Sequence, residues 1–394
     1  MKFTFSEYDG ENGRFLSPDD LFPHPGLVEF ILQHGQQALD ALPEGDEQVQ
    51  QLIEEMIQAG LLERGEGGSL KLTPRMLRGM QHRSFLEIFR SLKPGVRDGH
   101  VSPEPGRSGE RSEGTKHYEW GDPLSDLALG QTMRNAIRRV AQERVAAGAG
   151  GATGTVLPLR LRDSDFELHN SESTADSSLV ILMDLSGSMM RYGRHIAAKR
   201  VAMGMRAMVR DKFPLDTVEF IGFSSVAEPI SEQDLPLVMP KPITTREWQV
   251  KVRIPLDQAD RTHPHFTNLH HGLRMARARL SRRGAANKQI FVITDGEPTA
   301  HLSGERFDIL NLIYPASRKT AEATLAEAFR CHEAGIRIST FALIEEYQGM
   351  EWVGFVDQLT RLVRGVAFYC TAGDLAATIM ESYLSGKRQK KPLG

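Results

Sequence analysis

Apolar residues recur with two different spacings along this chain, and the pattern becomes regular after residue 176. From there, short apolar runs alternate with longer segments in which apolar residues fall three or four positions apart. Short runs of this kind are typical of strands buried on both faces, and the longer segments of amphipathic helices. The alternation predicts an α/β fold, a Rossmann-like, open, mostly parallel sheet with helices on both faces. The predicted strands are SLVILMD, DTVEFIGFS, QIFVITD, IRISTFAL and VAFYC.

Residues 1–93 follow a different pattern and are predicted to form a smaller, mostly helical domain. The segments LVEFILQHGQQALDAL and EQVQQLIEEMIQAGLLER have apolar residues at helical spacing. The following stretch, AGLLERGEGGSLKLTP, predicts a hairpin around a glycine-rich turn. Helices followed by such a hairpin are winged-helix-like in outline, a shape that in some proteins binds DNA. A small packing or protein-contact domain is the simpler interpretation, because no base-reading side chains can be identified here.

Two less regular stretches join this domain to the sheet. Residues 94–117 are rich in glycine, proline, serine and charged residues. They cannot bury enough apolar surface to offset the entropy of ordering, so they are predicted to be a flexible linker. Residues 118–176 are predicted to be a bridging helix and strand, and the sheet domain then occupies residues 177–391.

Composition narrows the class of protein. The 394 residues, with 40% hydrophobic and 25% charged side chains, describe a globular protein of several domains. A formal charge of −3 indicates neither a nucleic-acid surface nor an anionic membrane. The cysteines, Cys331 and Cys370, suit a reducing compartment, although a bridge between them stays open. Without a signal-peptide pattern or an apolar run of membrane-spanning length, the cytoplasm is the expected location.

Acidic and hydroxyl side chains stand where two predicted strands end. Asp184 closes SLVILMD, Asp295 closes QIFVITD, and Ser186 and Ser188 follow Asp184 at alternate positions. Ligands of open α/β sheets bind beyond the carboxyl ends of the strands, so these side chains are expected to meet there. Carboxylates and hydroxyls with almost no soft ligand indicate a hard cation, Mg²⁺ or Mn²⁺.

These residues resemble the signature of the von Willebrand factor A (VWA) domain. DLSGSM matches its Asp-x-Ser-x-Ser motif, ITDG matches its later Asp-Gly motif, and FTNLHHGL supplies the intervening threonine, Thr267. The resemblance covers a little over half of the chain and implies a metal-ion-dependent adhesion site. In such a site Ser186, Ser188 and Thr267 hold the ion through their hydroxyls, while Asp184 and Asp295 act mainly through bound water and hydrogen bonds. One position stays open for a Glu or Asp of a protein partner.

The resemblance extends to a narrower group. The segments MDLSGSM, HFTNLHHGLRMARARL and VITDGEPTAH, with the helical leader, look like those of bacterial cytoplasmic VWA proteins. These are similar to the D-type subunit of magnesium chelatase and to proteins that accompany MoxR-type AAA ATPases. The resemblance implies a non-catalytic partner or adaptor of such an ATPase, in protein maturation or cofactor insertion. The chain has no P-loop pattern, so it is not expected to hydrolyse ATP itself.

Two other functions stay open. A metal-dependent phosphohydrolase with Asp184 as the nucleophile needs a second acid two residues further on, where this chain has Ser186. A nucleic-acid-binding protein would use the N-terminal domain and would show salt-dependent affinity for duplex DNA.

The polar residues around the motif have plainer interpretations. Basic residues after the serine pair are predicted to be a solvated helix face, namely Arg191, Arg194, Lys199 and Arg200. The histidines that crowd Thr267 fit no tetrahedral zinc spacing, and we expect loop polarity or a hydrogen bond to the metal loop. They are His263, His265, His270 and His271. The long segments before Thr267 and after Asp295 are expected to form walls of a partner groove.

Overall fold

A computed structural model describes most of the chain, as two compact units. It covers residues 25–45, 47–65, 68–91, 109–118, 127–146, 160–173, 176–304, 308–344 and 350–385. Among these described residues, the first unit contains those from 25 to 91 and from 176 to 385, and the second contains those from 109 to 173.

Strands and helices alternate along the chain as the hydrophobic pattern predicts. The described strands are β1 (Leu62–Arg64), β2 (Leu70–Leu72), β3 (Gly109–His117), β4 (Glu167–Ser173), β5 (Ser177–Asp184), β6 (Thr217–Phe223), β7 (Ala227–Ile230), β8 (Val250–Pro255), β9 (Asn287–Thr294), β10 (Ala300–Ser303), β11 (Ile309–Tyr314), β12 (Ile336–Leu343) and β13 (Val366–Cys370). The described α-helices are α1 (Pro25–His34), α2 (Gln36–Ala41), α3 (Glu47–Gln58), α4 (Pro74–Ser91), α5 (Leu129–Ala146), α6 (Arg194–Lys212), α7 (Leu269–Ser281), α8 (Arg318–Glu333), α9 (Met350–Val363) and α10 (Leu375–Ser385). None of these helices is both long and apolar enough to cross a membrane.

A six-stranded sheet forms the centre of the first unit, in the order β13-β12-β9-β5-β6-β7. Its strands run parallel except for β7, which pairs antiparallel with β6 at one edge. The chain leaves β5 towards β6 and later returns to β9 on the other side of β5. The strand order therefore reverses between β5 and β9, which is where open α/β sheets form a ligand crevice. The predicted mostly parallel α/β fold is confirmed.

Alternate residues of β5 are buried in two separate cores, one on each face of the sheet. Leu179, Ile181 and Met183 share one core with residues of α6 and α10. Val180 and Leu182 share the other core with residues of α7, α8 and α9. A strand covered on both faces has no need of polar alternation, which explains the uninterrupted apolar run SLVILM.

The cysteines follow the same division between the two faces. Cys331 is buried in the core that contains α8, and Cys370 is buried in the opposite core. Both thiols are free, so the bridge that the sequence left open is not formed.

The N-terminal helices pack against α6 within the same compact unit. Ile31 of α1 and Met80 of α4 belong to the same core as Met205 of α6. The sequence predicts one helix where the structure has two, α1 and α2. Gly35 separates them with a φ of +60°, and a Cβ at this position would lie 2.3 Å from the backbone oxygen of Leu237. The segment between β7 and β8 that carries Leu237 therefore leaves no room for a side chain at position 35. The positive φ of Gly35 also ends α1, because other residues rarely adopt this conformation.

The predicted hairpin follows the N-terminal helices. β1 and β2 pair antiparallel, with Leu62 opposite Leu72. Leu62 and Leu70 are buried in the core that contains α6. The apolar side of the hairpin therefore helps to attach the N-terminal segment to the sheet domain.

The two long segments beside the predicted site pair with each other instead of forming separate loops. β11 pairs antiparallel with β8 on one side and with β10 on the other. This three-stranded sheet encloses a small core that includes Val250, Phe266 and Leu310. Because Phe266 immediately precedes Thr267, the small sheet is joined directly to the predicted site.

The second unit contains the antiparallel pair of β3 and β4 and the helix α5. The Thr132 hydroxyl of α5 accepts a hydrogen bond of 3.1 Å from the Glu167 N–H of β4. Residues 109–117 are predicted to be linker but form β3, because backbone pairing does not depend on apolar side chains. Residues 94–108 of the predicted linker lie outside the described residues.

Candidate functional site

The predicted site residues lie at the carboxyl ends of β5 and β9, where the strand order reverses. Asp184 is the last residue of β5, and Asp295 follows directly after β9. These strands are hydrogen-bonded neighbours, with Met183 opposite Ile293 in the register. The parallel pairing therefore brings the two acids together from positions far apart in the chain.

Asp184 is buried and holds the loop that follows it. Its Oδ1 accepts a hydrogen bond of 2.8 Å from the Ser186 N–H, and its Oδ2 accepts one of 2.6 Å from the Thr294 hydroxyl. Burial and the nearby Asp295 carboxylate raise the pKa of Asp184 above its usual range. Both carboxylate oxygens therefore have donors within the protein, and Asp184 fixes the position of the loop that carries Ser186.

The serine pair forms the next layer. The Ser186 and Ser188 hydroxyl oxygens are 3.2 Å apart, and the Ser188 hydroxyl donates to Asp295 Oδ1 at 2.7 Å. Between them, the Gly187 N–H donates to the His265 carbonyl at 3.1 Å. A Cβ on Gly187 would lie 2.5 Å from Ile243 Cγ1. The glycine therefore lets the loop carrying Ile243 close over the serine turn.

Thr267 reaches the same place from the loop before α7. Its N–H donates to the Thr299 hydroxyl at 2.9 Å, and its carbonyl accepts from the Thr299 N–H at 3.0 Å. The next residue, Asn268, caps α7 by accepting from the His271 N–H at 3.0 Å. Thr267 is thus fixed on one side by a helix cap and on the other by the three-stranded sheet.

A cavity of about 620 Å³ brings these groups together. Ser186, Ser188, Thr267 and Asp295 all line it. Asp184 is joined to this set through the Ser186 N–H and the Thr294 hydroxyl. The structure thus assembles all five predicted residues around one site, four of them at the cavity wall.

Arg194 corrects the prediction of a solvated basic face. Its side chain is 6% exposed, and its Nη1 donates to Asp295 Oδ2 at 2.5 Å. The Asp295 side chain is 0% exposed, so both partners of this ion pair are buried. A cation in the first turn of a helix opposes the helix dipole, and the Asp295 carboxylate offsets this at the first position of α6. No strong signal in the sequence indicates this buried partner, because Arg194 is spaced like a surface residue.

Lys199 is a second correction on the same helix. Its side chain is only 1% exposed, and its Nζ donates to the Leu32 carbonyl at 2.8 Å and to the Pro236 carbonyl at 3.1 Å. Burial lowers the pKa of Lys199 to about 7. Lys199 therefore joins α6, α1 and the loop before β8 instead of facing solvent.

The histidines near Thr267 have structural roles. His270 Nδ1 accepts from the Leu302 N–H at 3.2 Å, and His271 Nδ1 accepts from the Ala227 N–H at 3.1 Å. Burial lowers the pKa of both imidazoles to about 4, so both are neutral at pH 7. Across the part of the chain that the structure describes, no group of three or more His, Cys, Asp or Glu side chains could hold a metal ion.

The site nevertheless fits a hard cation by its donor chemistry. Three hydroxyl-bearing residues and Asp295 line one cavity, and oxygen donors of this kind suit Mg²⁺ or Mn²⁺ and disfavour soft metals. A cation here would depend largely on hydroxyl oxygens, since the described residues contain no group of three or more His, Cys, Asp or Glu side chains that could hold it.

The mostly parallel sheet with a serine-rich loop at its switch point defines a VWA-type domain, a class that often acts as a protein-interaction module. Residues 177–384 match the family described as "Rv0959-like protein, vWA domain", and residues 110–171 match the third domain of the same proteins. The first match covers more than half of the chain, which belongs to this family.

Relatives among curated proteins are longer than this chain. It is 25% identical over 338 residues to uncharacterized protein Rv0959 of Mycobacterium tuberculosis and, at the same identity, to uncharacterized protein Mb0984 of Mycobacterium bovis. The alignments cover 85% of this chain but 44% of each relative. The chain therefore spans less than half the length of the curated relatives it matches.

Solved structures to which the chain is similar include two pilus proteins. The vWF domain of the pilus tip protein Mfa5 from Porphyromonas gingivalis is 14% identical with a TM-score of 0.38, covering 55% of this chain and 98% of that chain. The PilB minor pilin from Streptococcus sanguinis is 16% identical with a TM-score of 0.39, covering 56% of this chain and 64% of that chain.

Proposed function

We propose that this chain is a non-catalytic protein-binding module that captures an acidic side chain of a partner in a manner dependent on Mg²⁺ or Mn²⁺. The observation that carries the proposal is the convergence of Ser186, Ser188, Thr267 and Asp295 on one cavity. Neutral hydroxyl ligands leave a divalent cation electron-poor, so that it attracts a further anionic oxygen from another molecule.

The protein's own residues would prepare this site in two ways. Ser186, Ser188 and Thr267 would hold the ion directly. Asp184 keeps the serine turn in place through the Ser186 N–H, and Asp295 accepts from Ser188. Because these carboxylates are already hydrogen-bonded, the metal would stay under-neutralised and open to a partner.

The absence of catalysis is part of the proposal and is supported by the surroundings of Asp184. A nucleophilic carboxylate must reach its substrate, whereas Asp184 is buried and its two oxygens are oriented by hydrogen bonds within the protein. A phosphohydrolase of this kind also needs an acid two residues further on, where Ser186 lies.

The partner is proposed to be an AAA-type ATPase of the MoxR or chelatase class, in the cytoplasm. The support for this step is the resemblance of the DLSGSM, FTNLHHGL and ITDG segments to VWA proteins that accompany such ATPases. The chain would act as an adaptor in protein maturation or cofactor insertion.

Two linked measurements test the proposal on the full chain. Mn²⁺ binding, followed by electron paramagnetic resonance, should be lost in Ser188→Ala and unchanged in Ser281→Ala, a control at the exposed end of α7. Capture of a MoxR-type AAA ATPase from the same organism should require Mg²⁺ and should fail with EDTA or with Ser188→Ala. Equal Mn²⁺ binding by wild type and Ser188→Ala, or equal capture in EDTA, would overturn the proposal.

A further inference from the structure

Large apolar side chains are exposed at the edge of the cavity that holds the hydroxyl site. Trp248 is 89% exposed, Ile243 is 54% exposed and Tyr314 is 49% exposed, and all three line the cavity. A single exposed apolar residue is ordinary, but a group of them beside a concave polar site is typical of a binding surface. We refer to Ile243, Trp248 and Tyr314 as the apolar rim.

The apolar rim is attached to ordered parts of the structure. Tyr314 ends β11 and pairs with Val250, the first residue of β8, so the small sheet places Trp248 and Tyr314 at the same end. Ile243 lies over the serine turn, where it occupies the space beside Gly187. The paired strands β8 and β11 hold the backbone next to Trp248 and at Tyr314, so this backbone loses little entropy when a partner binds.

The charged residues that line the cavity carry equal numbers of positive and negative charges, once the pairing of Asp295 with Arg194 is included. Arg191 and Arg246 line the cavity and are exposed, and Glu247 and Glu297 line it as well. The remaining acid, Asp295, is paired with Arg194. A divalent cation at the hydroxyls would therefore give the cavity a net positive charge, with two arginines placed to meet the same anionic partner.

Resting on the proposed function, we propose that the site takes a peptide segment in which a Glu or Asp is followed by an aromatic or branched apolar residue. The carboxylate lies at the hydroxyl end of the cavity, between the serine turn and the arginines. The neighbouring apolar side chain packs against Trp248, Tyr314 and Ile243. Such an arrangement matches interface hot spots, which are enriched in Trp, Tyr and Arg side chains.

The size of the cavity is consistent with this occupant. About 620 Å³ is within the range of ligand pockets and exceeds the needs of a single carboxylate. The additional volume is bounded by the rim residues, which is where a second side chain of the peptide would lie.

Three acetylated, amidated hexapeptides test the inference on the full chain, with binding measured by NMR titration. Their sequences are Gly-Gly-Glu-Phe-Gly-Gly, Gly-Gly-Glu-Gly-Gly-Gly and Gly-Gly-Gln-Phe-Gly-Gly. In Mg²⁺ the Glu-Phe peptide should bind about tenfold more tightly than the Glu-Gly peptide, the gain expected from partial burial of an aromatic ring. The Gln-Phe peptide should bind more weakly than both.

Variants separate the rim from the metal site. Trp248→Ala should abolish the difference between the Glu-Phe and Glu-Gly peptides, while Phe329→Ala, a control for an exposed aromatic on α8, should preserve it. Because Trp248 is so exposed, its removal should leave thermal unfolding unchanged. Equal binding of Glu-Phe and Glu-Gly peptides to wild type, or an unchanged preference in Trp248→Ala, overturns the rim inference.

The failure of the proposed function would look different. If the Glu-containing peptides bind equally in Mg²⁺ and in EDTA, the metal-dependent function is wrong, whether or not Trp248 contributes. If they bind only in Mg²⁺ but without preference for Phe, the metal-dependent function stands and the rim inference is overturned. If no peptide binds to wild type in Mg²⁺, the rim inference is overturned as well.

Discussion

Replacing Arg194 by Gln should weaken the metal-free protein and strengthen its binding of divalent cations. Arg194 is the buried counter-charge of Asp295, at a contact of 2.5 Å. A cation held by the neighbouring hydroxyls would lie close to the same carboxylate, so the guanidinium and the metal would repel each other. Removing the guanidinium relieves that repulsion and exposes Asp295 to the metal.

The expected loss of unfolding free energy follows from the burial of both Arg194 and Asp295. Removing one partner of a buried ion pair typically costs about 3–5 kcal/mol of unfolding free energy. Glutamine keeps an N–H that can donate to Asp295, and the Nε of Arg194 has no hydrogen-bond partner among the described residues. We therefore expect the lower end, about 3 kcal/mol, in EDTA. Loss of one positive charge at close range should raise Mn²⁺ affinity about tenfold, equal to about 1.4 kcal/mol.

Urea unfolding in EDTA and in excess Mg²⁺ gives the two stabilities, and Mn²⁺ titration gives the affinity. The difference in unfolding free energy between Arg194→Gln and wild type should be smaller in Mg²⁺ than in EDTA. The variant is expected to bind the cation more tightly than wild type, so Mg²⁺ should stabilise it more. Arg206→Gln is the matched control, since Arg206 lies on the same helix but pairs with Glu232 at the surface. Its effect should stay below about 1 kcal/mol. Weaker Mn²⁺ binding by Arg194→Gln than by wild type would refute the reasoning.

The remaining predictions concern positioning and pH. Thr299→Val should lower the free energy of unfolding by about 1–3 kcal/mol, because the Thr267 N–H loses its acceptor. It should also weaken Mn²⁺ binding. Thr299→Ser keeps the hydroxyl, so its stability in urea unfolding and its affinity in Mn²⁺ titration should match those of wild type. Burial lowers the pKa of Lys199 to about 7, whereas the unfolded chain keeps this proton up to about pH 10. The stability of wild type should therefore rise between these pH values by up to about 1.4 kcal/mol per unit relative to Lys199→Met, and parallel pH profiles of urea unfolding would contradict this.

The sheet and four of the oxygen-bearing residues could be predicted because each has a strong local signal, whereas Thr267 was predicted from the resemblance to the VWA signature. An apolar run without alternation predicts a doubly covered strand, and β5 and β9 have this pattern. An acid at the end of such a strand is placed by the sheet itself. Asp184 and Asp295 therefore meet wherever β5 and β9 are neighbours, and no detailed knowledge of side-chain packing is needed.

The cations were harder to place because their roles depend on partners distant in the chain. Arg194 and Lys199 are spaced like surface residues, yet each is buried against groups from other elements. The partner of Arg194 comes from the end of β9, and the partners of Lys199 are backbone carbonyls, including that of Leu32 in α1. A carbonyl acceptor has no signature in the side-chain sequence, so hydropathy patterns could not reveal the second contact.

The three-stranded sheet was missed for a different reason. Its strands are β8, β10 and β11, and β8 is separated from the other two by α7 and β9. Pairing between segments so far apart is set by the fold that brings them together, and β-propensity alone is a weak guide. Both segments do line the cavity, through Val250, Thr299 and Tyr314; that they form walls of a partner groove stays a prediction.

The contacts of Lys199 also determine which form of the protein can be used for binding experiments. Its Nζ is buried and has a carbonyl acceptor in α1, five residues along α6 from the Arg194–Asp295 pair. Removing the N-terminal helices would take away that acceptor and uncover the apolar face of α6, which shares a core with Ile31 and Met80. The apolar side chains uncovered in this way would face water, at a cost of about 25 cal/mol per Å² of apolar surface. A fragment without the N-terminal helices would therefore have a destabilised α6, the helix that positions Arg194 beside Asp295. Weak cation binding by such a fragment would reflect this destabilisation.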